Sequence, residues 1–403
     1  MSYQALGAGI DALCMACTDE KCDFKPMMMK RRALGPRDVM IEMKYCGVCH
    51  SDLHHAANHN MGRTPYPCVP GHELAGLVVA VGDDCTKIQV GMHVGVGCLV
   101  DACLECTQCL RGEEQKCSKS VGTYGKAVKE GARAFTPGGH TLGGYTKTFV
   151  VFEHFAIIVP TGYPLEAVGP VMCAGITMYD PLVKLGAGGT RKRVGIVGLG
   201  GLGVMGIKLA KAMGCEVTAI SRSAAKEEMA KRAGADTFAN STRPEELAKG
   251  SLDIILNTVP AFHDYDPFTR MLSADGKHVM LGLHKGIVAG YILGVATGGR
   301  SRVMHSGIGG IKSTQAVVDL CAKHHILPEY KLMPCESLNE IYTMLDASND
   351  AGVRFVLDIA SSLDDETVAR CTLPPPVLAK PTGPMSIVGG LLEALRLFCC
   401  CRT

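Results

Sequence analysis

The alternation of apolar and polar positions changes character near residue 170. Over residues 1–160, short β-type runs such as VMIEMKYCGVC, LAGLVVAVG, GMHVGVGCLV and TKTFVVFEHFAIIVP are separated by turn residues, which predicts an all-β or barrel-like unit. Further on, RVGIVGLGGLGVMGIKLAKAMGCEVTAISRS has the pattern of strand, glycine turn, helix and strand. LDIILNTV and KHVMLGL have the pattern of further buried strands, so this half predicts a parallel sheet with covering helices.

The pattern changes again towards the C-terminus. Residues 312–360 run from helical spacing in KSTQAVVDLCAKHHI to a strand pattern in VRFVLDIA. After Ser362 this pattern is lost, and the tail 362–403 contains the linker-like TLPPPVLAKPTGP. The apolar positions that can share one helical face there are Leu391, Leu392, Leu395 and Phe398. Because this face ends at Cys399–Cys401, one hypothesis is a lipidated or membrane-surface tail, and the other is a disordered or loosely docked end.

Composition narrows the class of protein. A chain of 403 residues with 47% apolar and 20% charged residues is typical of a soluble protein with two domains, or three at most. The net charge of +2 gives no argument for nucleic acid as a partner. MSYQALGAGIDALC makes a poor secretory signal, so we expect a cytoplasmic protein whose 20 cysteines are thiols or metal ligands. No transmembrane span is expected, because the chain has no uncharged apolar stretch of sufficient length.

Four cysteines are crowded into DACLECTQCLRGEEQKC, at Cys103, Cys106, Cys109 and Cys117. Four thiolates this close in sequence can surround one tetrahedral zinc ion and leave no open coordination position, which is the pattern of a structural site. Surface thiols, a redox pair and an iron–sulfur cluster are the alternatives. The loop has little of its own to pack, which favours zinc.

Three scattered residues are candidates for a second metal site. Singly, each is more often a buried cysteine or a hydrogen-bonded histidine, and the combination points to a metal only together with the glycine motif described next. GVCHSDLH contributes Cys49, PGHELAG contributes His72, and VMCAG contributes Cys173. Two thiolates and one imidazole leave a fourth position for water or substrate, as in catalytic zinc sites. Glu73 could approach the metal or balance its charge, and Asp52 could accept the second ring N–H of His72.

The segment VGIVGLGGLG carries the glycine pattern of dinucleotide-binding turns at Gly198, Gly200 and Gly203. It follows a predicted strand and opens a predicted helix, so a cofactor pyrophosphate would face the helix N-terminus. Gly201 and Leu202 belong to the same turn.

The end of the following predicted strand indicates which dinucleotide binds. An NAD site would place a carboxylate there, whereas this chain has Ser221, Arg222 and Ser223. Lys226 follows one turn later. Hydroxyls and cations suit a 2′-phosphate, which predicts NADP(H); the alternative is a solvated basic patch at a helix start.

Together these motifs resemble those of the zinc-containing medium-chain alcohol dehydrogenases, above all the cinnamyl-alcohol-dehydrogenase branch with its NADP-dependent microbial relatives. The resemblance spans roughly residues 20–360 and rests on the segments CGVCHSDLH, VPGHELAG, GVGCLVDACLECTQC, GGYTKTFVV, CAGITMYDPL, GLGGLG and RFVLDIA. It implies an α/β protein. A GroES-like β-barrel catalytic domain (1–168 and 312–361) would hold two zinc ions, and a Rossmann doubly wound parallel-sheet domain (169–311) would bind NADP(H).

The resemblance also implies roles for individual residues. Cys49, His72 and Cys173 match the catalytic zinc ligands, and the four crowded cysteines match the structural site. Ser51 matches the hydroxyl that takes the alcohol proton, and His54 matches the imidazole at the outer end of the proton relay. Two further matches concern the cofactor: His50 near its pyrophosphate and Thr177 near its nicotinamide. Hydride would pass between the nicotinamide and the substrate carbon.

The chain departs from the lignin-forming members of this family. They carry a Trp shortly after the last structural cysteine, where this Trp-free chain has Gly122. We therefore expect a broad range of primary alcohols and aldehydes as substrates. A polyol dehydrogenase and a catalytically silent zinc-binding or redox-sensing protein are the alternatives, and a quinone reductase is disfavoured because those relatives lack the zinc ligands. The resemblance further suggests a homodimer.

Overall fold

A computed structural model describes residues 9–59, 64–261, 263–282, 302–347 and 352–364. Of the predicted tail 362–403, only the first three residues are included, so the hypotheses about the apolar face and Cys399–Cys401 lie outside the described residues. No disulfide joins any of the cysteines within these ranges.

Strands and helices are distributed along the chain much as the two sequence patterns predict. The strands are β1 (Ile10–Ala16), β2 (Lys25–Arg31), β3 (Asp38–Val48), β4 (Glu73–Val81), β5 (His93–Val96), β6 (Leu99–Asp101), β7 (Val121–Gly122), β8 (Thr148–Phe152), β9 (Ile157–Ile158), β10 (Arg193–Val197), β11 (Glu216–Ser221), β12 (Thr237–Asn240), β13 (Leu252–Asn257), β14 (Leu272–Met280), β15 (Val303–His305), β16 (Tyr330–Pro334) and β17 (Arg354–Asp358).

The helices are α1 (His50–Ala56), α2 (Thr107–Leu110), α3 (Leu165–Pro170), α4 (Ile176–Lys184), α5 (Gly201–Ala212), α6 (Glu227–Ala233), α7 (Asp266–Arg270), α8 (Ile311–His324), α9 (Leu338–Ala347) and α10 (Ile359–Ser362). A π-helical segment, Val171–Gly175, joins α3 to α4. Short 3₁₀ helices cover Glu114–Lys116, Glu153–Phe155, Ala224–Lys226, Pro244–Glu246 and Cys335–Ser337.

The N-terminal half is built on a seven-stranded sheet centred on β3. Its order is β16-β17-β3-β4-β5-β9, and β8 also pairs with β3. Antiparallel pairing dominates, and β3 buries alternate residues over much of its length, as a sheet with one covered face requires. The chain returns to this sheet at its described C-terminal end, where β17 pairs with β3 and places Asp358 opposite Tyr45.

The middle of the chain forms a six-stranded, all-parallel sheet in the order β12-β11-β10-β13-β14-β15. The central strand β10 is apolar and almost entirely buried, as expected for a sheet covered on both faces. Helices α5 and α6 provide the crossovers that parallel pairing requires. This architecture confirms the predicted α/β fold with a Rossmann-type sheet.

The helical run from α3 to α4 connects the two sheets. Its first part packs directly on β4, where a Cβ atom at Gly169 would lie 2.3 Å from the Glu73 carbonyl oxygen. Its last part packs on α5, where a Cβ atom at Gly206 would lie 2.1 Å from Cε of Met178. The π-helical segment between these contacts carries Cys173. Such segments recur at functional sites because they re-aim side chains within a helix.

A buried histidine in the parallel sheet makes stability depend on pH. His278 lies on β14 with Nε2 3.1 Å from Asn257 Nδ2 and Nδ1 3.3 Å from Thr269 Oγ1. Burial, helped by the nearby His263, lowers the pKa of His278 to about 4. The unfolded chain therefore binds a proton at this residue below about pH 6.5, whereas the folded chain does not until about pH 4.

We predict that the lowered pKa of His278 makes the folded state less stable as the pH falls from about 6.5 to 4. From pH 6.5 to 4, the free energy of unfolding should fall by roughly 3 kcal/mol more in the wild type than in His278→Gln, which cannot take up the proton. Urea unfolding at a series of pH values measures the difference. His93→Gln, at an exposed position of β5, is the control and should keep the wild-type dependence. Equal slopes for wild type and His278→Gln would contradict the prediction.

Candidate active site

The first ligand position lies at the junction of β3 and α1. Cys49 follows the last residue of β3 and precedes α1, and its backbone N–H donates to Asp52 Oδ2 at 2.8 Å. The Asp52 N–H donates back to the Cys49 carbonyl at 3.0 Å. This reciprocal pair satisfies amides at the start of the helix and holds the Cys49 backbone in one conformation.

Folding brings Cys49, His72 and Cys173 together, although they lie far apart in sequence. Cys49 Sγ is 4.0 Å from Cys173 Sγ, and His72 Nε2 is 3.3 Å from Cys173 Sγ. Tetrahedral zinc with sulfur and nitrogen ligands separates neighbouring donors by roughly 3.5–3.8 Å. The donors of these three residues and Glu73 all lie within 4.8 Å of one another, and all four residues are buried. The group therefore fits one zinc ion.

Glu73 occupies an unusual position for a carboxylate. It is fully buried, and neither side-chain oxygen accepts a hydrogen bond from the part of the chain that the structure describes. Only glycine at residue 47 leaves room for it, since a Cβ atom there would lie 2.0 Å from Glu73 Oε2. Burial raises the pKa of Glu73 to about 7, although Arg354, with Nε 3.6 Å from Oε1, opposes the rise. A cation at the neighbouring site would stabilise the ionised form.

His72 is oriented by its second ring nitrogen. Nδ1 lies 2.9 Å from Asp52 Oδ1, which leaves Nε2 towards Cys173. Burial lowers the pKa of His72, but the Asp52 carboxylate, together with Cys98 and Cys49, outweighs burial and raises it well above its usual value. A metal ion on Nε2 would replace that proton, because only the neutral ring binds a metal. Tyr145 also reaches Asp52, its hydroxyl donating to Oδ2 at 3.0 Å. Its motif is among those that carry the resemblance, but no sequence signal assigns its hydroxyl a role.

The four crowded cysteines form a second compact group. Cys103 Sγ is 3.8 Å from Cys109 Sγ and 3.5 Å from Cys117 Sγ, and with Cys106 the four sulfurs lie within 4.8 Å of one another. Backbone N–H groups of Glu105 and then Cys106 lower the pKa of Cys103 to about 6. Four sulfurs at these separations fit a tetrahedral zinc ion with no open position.

The residues proposed to carry the proton lie on or beside α1. Ser51 Oγ is 3.5 Å from Cys49 Sγ, so the hydroxyl borders the metal group. Nδ1 of His54 is 2.9 Å from Nδ1 of His59, beyond the helix end. The His50 ring is held by the carbonyl of Leu345 at 2.9 Å from Nε2.

The glycine turn has the geometry of a phosphate-binding loop. Gly198 follows β10 with φ of +88°, a conformation that favours glycine. A Cβ atom at Gly203 would lie 2.0 Å from the Gly198 carbonyl oxygen, so α5 begins tight against the turn. Gly200 precedes α5, and the first amides of a helix, here at Gly201, Leu202 and Gly203, lack intrahelical acceptors. They can therefore bind an anion.

The residues expected to choose the dinucleotide lie at the end of β11. Ser221 is nearly buried, and its Oγ accepts the Ser223 N–H at 3.3 Å. Arg222 is exposed, and Lys226 Nζ donates to the Leu199 carbonyl in the glycine turn at 3.1 Å. On α4, the buried hydroxyl of Thr177 has no hydrogen-bond partner among the described residues. These groups together fit a phosphorylated dinucleotide: the glycine amides and the adjacent cations suit its phosphates, and the Thr177 hydroxyl can form a hydrogen bond.

The aromatic ring of Tyr124 borders the metal group, although no sequence motif assigns it a role. The Tyr124 ring lies 5.8 Å from the ring of His72 and 4.9 Å from that of His55. It comes two residues after Gly122, where a Cβ atom would meet nothing closer than 3.6 Å, at Lys126 Cγ. A Cβ atom at residue 122 would therefore make ordinary contacts, and the aromatic surface beside His72 comes from Tyr124.

Two family models match the chain. The model described as Alcohol dehydrogenase GroES-like domain matches residues 35–161, and the model described as Zinc-binding dehydrogenase matches residues 201–323. Among the helices that the structure describes, none has the length and apolar character of a membrane span.

Characterised proteins of the same kind are similar over most of their length. Aldehyde reductase YahK of Escherichia coli (strain K12) is 44% identical over 345 residues, which cover 84% of this chain and 95% of that protein. NADP-dependent alcohol dehydrogenase C 1 of Mycolicibacterium smegmatis is 44% identical over 337 residues, covering 82% and 93%. The crystal structure of a cinnamyl alcohol dehydrogenase from Helicobacter pylori complexed with NADP(H) has a TM-score of 0.77 at 36% identity, covering 88% and 99%. The chain belongs to the zinc-containing medium-chain alcohol dehydrogenases, in the branch of the NADP-dependent alcohol dehydrogenases and cinnamyl alcohol dehydrogenases.

Proposed function

We propose that the protein is a zinc-dependent oxidoreductase that interconverts primary alcohols and aldehydes of broad range with NADP(H). The observation that carries the proposal is the buried group of Cys49, His72 and Cys173, whose spacing fits a catalytic zinc ion. Cys173 lies on the helical run that packs against α5, where a Cβ atom at Gly175 would lie 3.5 Å from Cε of Met205. The metal group and the glycine turn at the start of α5 therefore belong to one site.

The chain supplies position, charge and proton transfer. When bound, zinc supplies polarisation of the substrate oxygen, and the nicotinamide supplies or accepts hydride. Ser51, beside the metal ligand Cys49, is placed to exchange a proton with the substrate oxygen, and His54 carries that proton outward. Glu73, whose carboxylate lies among these donors, would approach the metal as a further oxygen ligand. The four cysteines of the closed group act on structure alone.

The preference for NADP(H) rests on the residues at the end of β11. Ser221, Arg222 and Ser223 offer hydroxyls and a guanidinium where a carboxylate would repel a 2′-phosphate. Relatives are named NADP-dependent, and a structural neighbour is in complex with NADP(H), which supports the same cofactor here.

The two alternatives receive different support. A protein named probable mannitol dehydrogenase from Mesembryanthemum crystallinum is 39% identical, which keeps polyols among the substrates to test. A catalytically silent zinc or redox protein is disfavoured, because Ser51 borders a complete and buried ligand set.

The proposed function is tested by turnover. Zinc-loaded protein should oxidise NADPH with a panel of aliphatic and aromatic aldehydes, followed by the absorbance of the reduced nicotinamide. Absence of turnover with every aldehyde would overturn the proposal that the protein is an enzyme, and turnover only with ketoses would favour the polyol alternative.

Arg222→Ala should raise the KM for NADPH about tenfold, because a hydrogen bond between charged groups is lost. Arg191→Ala, which disrupts an exposed pair with Glu216 at the other end of β11, is the control. Faster turnover of the wild type with NADH would contradict the cofactor assignment.

The closed cysteine group should contribute to stability rather than chemistry. Cys106→Ser should reduce the zinc content from two ions to one per chain and lower the melting temperature by about 5 °C or more, because a structural ion contributes folding free energy. Folded Cys106→Ser protein should retain the hydride-transfer rate in single turnovers. Cys85→Ser, outside both metal groups, is the control for the loss of a thiol. Full stability combined with slowed hydride transfer would contradict this division of roles.

We further propose a homodimer joined at the edge of the parallel sheet. Among the described strands, β15 lies at one edge of this sheet and its Met304 is exposed, so it offers backbone groups and apolar surface to a second copy. Sedimentation should give twice the chain mass, and Met304→Arg should shift the protein towards monomer. Leu332→Arg, exposed on the edge strand β16 of the other sheet, should leave the mass unchanged. A monomeric wild type at micromolar concentration would contradict the dimer.

A further inference from the structure

We propose that Tyr145 is a positioning residue for the catalytic metal: its hydroxyl holds Asp52, and through Asp52 the imidazole of His72, in the geometry that binds zinc. The inference deepens the proposed function, on which it rests only in that Cys49, His72 and Cys173 bind the ion. Tyr145 lies 93 residues from Asp52 in sequence, shortly before β8 begins at Thr148.

Asp52 is the point at which three chain segments meet. Oδ2 accepts the Cys49 N–H at 2.8 Å and the Tyr145 hydroxyl at 3.0 Å. Oδ1 accepts the Gly71 N–H at 3.2 Å and lies 2.9 Å from His72 Nδ1. Asp52 is fully buried, so each of these four donors replaces a hydrogen bond that water would otherwise make.

The hydroxyl of Tyr145 shares Oδ2 with the Cys49 N–H and so restricts how the carboxylate can rotate. A carboxylate that accepts from His72 requires the proton on Nδ1, and this leaves the Nε2 lone pair for a metal. Rotation of the carboxylate would tilt the imidazole away from Cys173, whose Sγ is 3.3 Å from Nε2. Of the two donors to Oδ2 described here, only the Cys49 N–H would remain without the hydroxyl. The plane of the carboxylate would then be less constrained.

Tyr145 is itself held firmly. Its N–H donates to the Pro70 carbonyl at 3.2 Å, and its carbonyl accepts the Met15 N–H at 2.9 Å. Its ring packs on Gly71, which has φ of +101° and at which a Cβ atom would lie 2.7 Å from Cδ1 of Tyr145. The ring therefore supports the backbone that precedes His72, while the hydroxyl acts on Asp52. Tyr145→Phe removes the second contribution and leaves the first.

The test measures metal retention by the full-length zinc-loaded protein. A chelator is added, and the release of the two zinc ions is followed by a colorimetric indicator. Tyr145→Phe should release the catalytic ion about tenfold faster than wild type, since outer hydrogen bonds to metal ligands contribute at least that much to affinity. The ion of the four-cysteine group should leave at the wild-type rate. Cobalt exchanged into the catalytic site should show altered visible absorption bands in Tyr145→Phe, because the bands depend on ligand geometry.

The matched control is Tyr163→Phe. Tyr163 is also buried, and its hydroxyl donates to the Ile326 carbonyl at 2.7 Å, away from both metal groups. It should release both ions at wild-type rates. In an Asp52→Asn background, Tyr145→Phe should add no further acceleration, because the proposed effect of the hydroxyl on the metal passes through that carboxylate.

Several results would overturn the inference: release from Tyr145→Phe at the wild-type rate, equal acceleration at both sites, a further tenfold acceleration in the Asp52→Asn background, or a Tyr145→Phe chain that does not fold. The last would show a role in folding rather than in positioning. If the wild type bound no zinc through Cys49, His72 and Cys173, the proposed function itself would fail. If it bound zinc and only the effect of Tyr145→Phe were missing, this inference alone would fail.

Discussion

The active site depends on one buried carboxylate. Asp52 lies beneath the proposed metal ligands and receives hydrogen bonds from the segment of Cys49, the segment of His72 and the side chain of Tyr145. A buried negative charge is costly unless it is fully hydrogen-bonded or paired, so the fold must bring all its donors together at once. The same requirement aligns two ligands from different parts of the barrel domain. The third proposed ligand, Cys173, lies on the helical run that packs on the Glu73 backbone at Gly169.

That helix is placed by close backbone approaches. Glycines at 169 and 206 let its neighbours approach on either side, and Gly47 admits the carboxylate of Glu73 beside the ligands. A methyl group at any of these positions would collide with backbone or with a buried side chain. The two sheets are thus joined by a helical run that packs closely on both sides, and this run carries Cys173. The proposed function requires substrate and nicotinamide to meet at this junction.

The two cysteine-containing groups show that the spacing of cysteines along the sequence does not indicate which group is reactive. The crowded group has four sulfurs within reach of one ion and no open position, and short backbone hydrogen bonds such as Cys106 N–H to Cys103 Sγ at 3.3 Å organise it locally. The scattered group has fewer sulfurs, but Ser51, Glu73 and Tyr124 surround it. Reactivity follows from the open position and its polar neighbours, which a closed thiolate cage cannot offer.

Local sequence determined whatever depends on near neighbours. Period-two and helical patterns predicted the two kinds of sheet, and the glycine pattern predicted the turn in which Gly198 has a positive φ. The close spacing of the cysteines from Cys103 to Cys117 predicted that their sulfurs form one group. All three predictions concern residues that are close along the chain. Residue type made Cys49, His72 and Cys173 candidate ligands, but only the resemblance to a family gave strong reason to join them into one site. Tertiary structure alone decided that Tyr145 donates to Asp52, that Tyr124 borders His72, and that Glu73 lies buried against Gly47. These contacts join residues that periodicity cannot relate, because they arise only when separate strands and a helix from the other sheet pack around one buried charge.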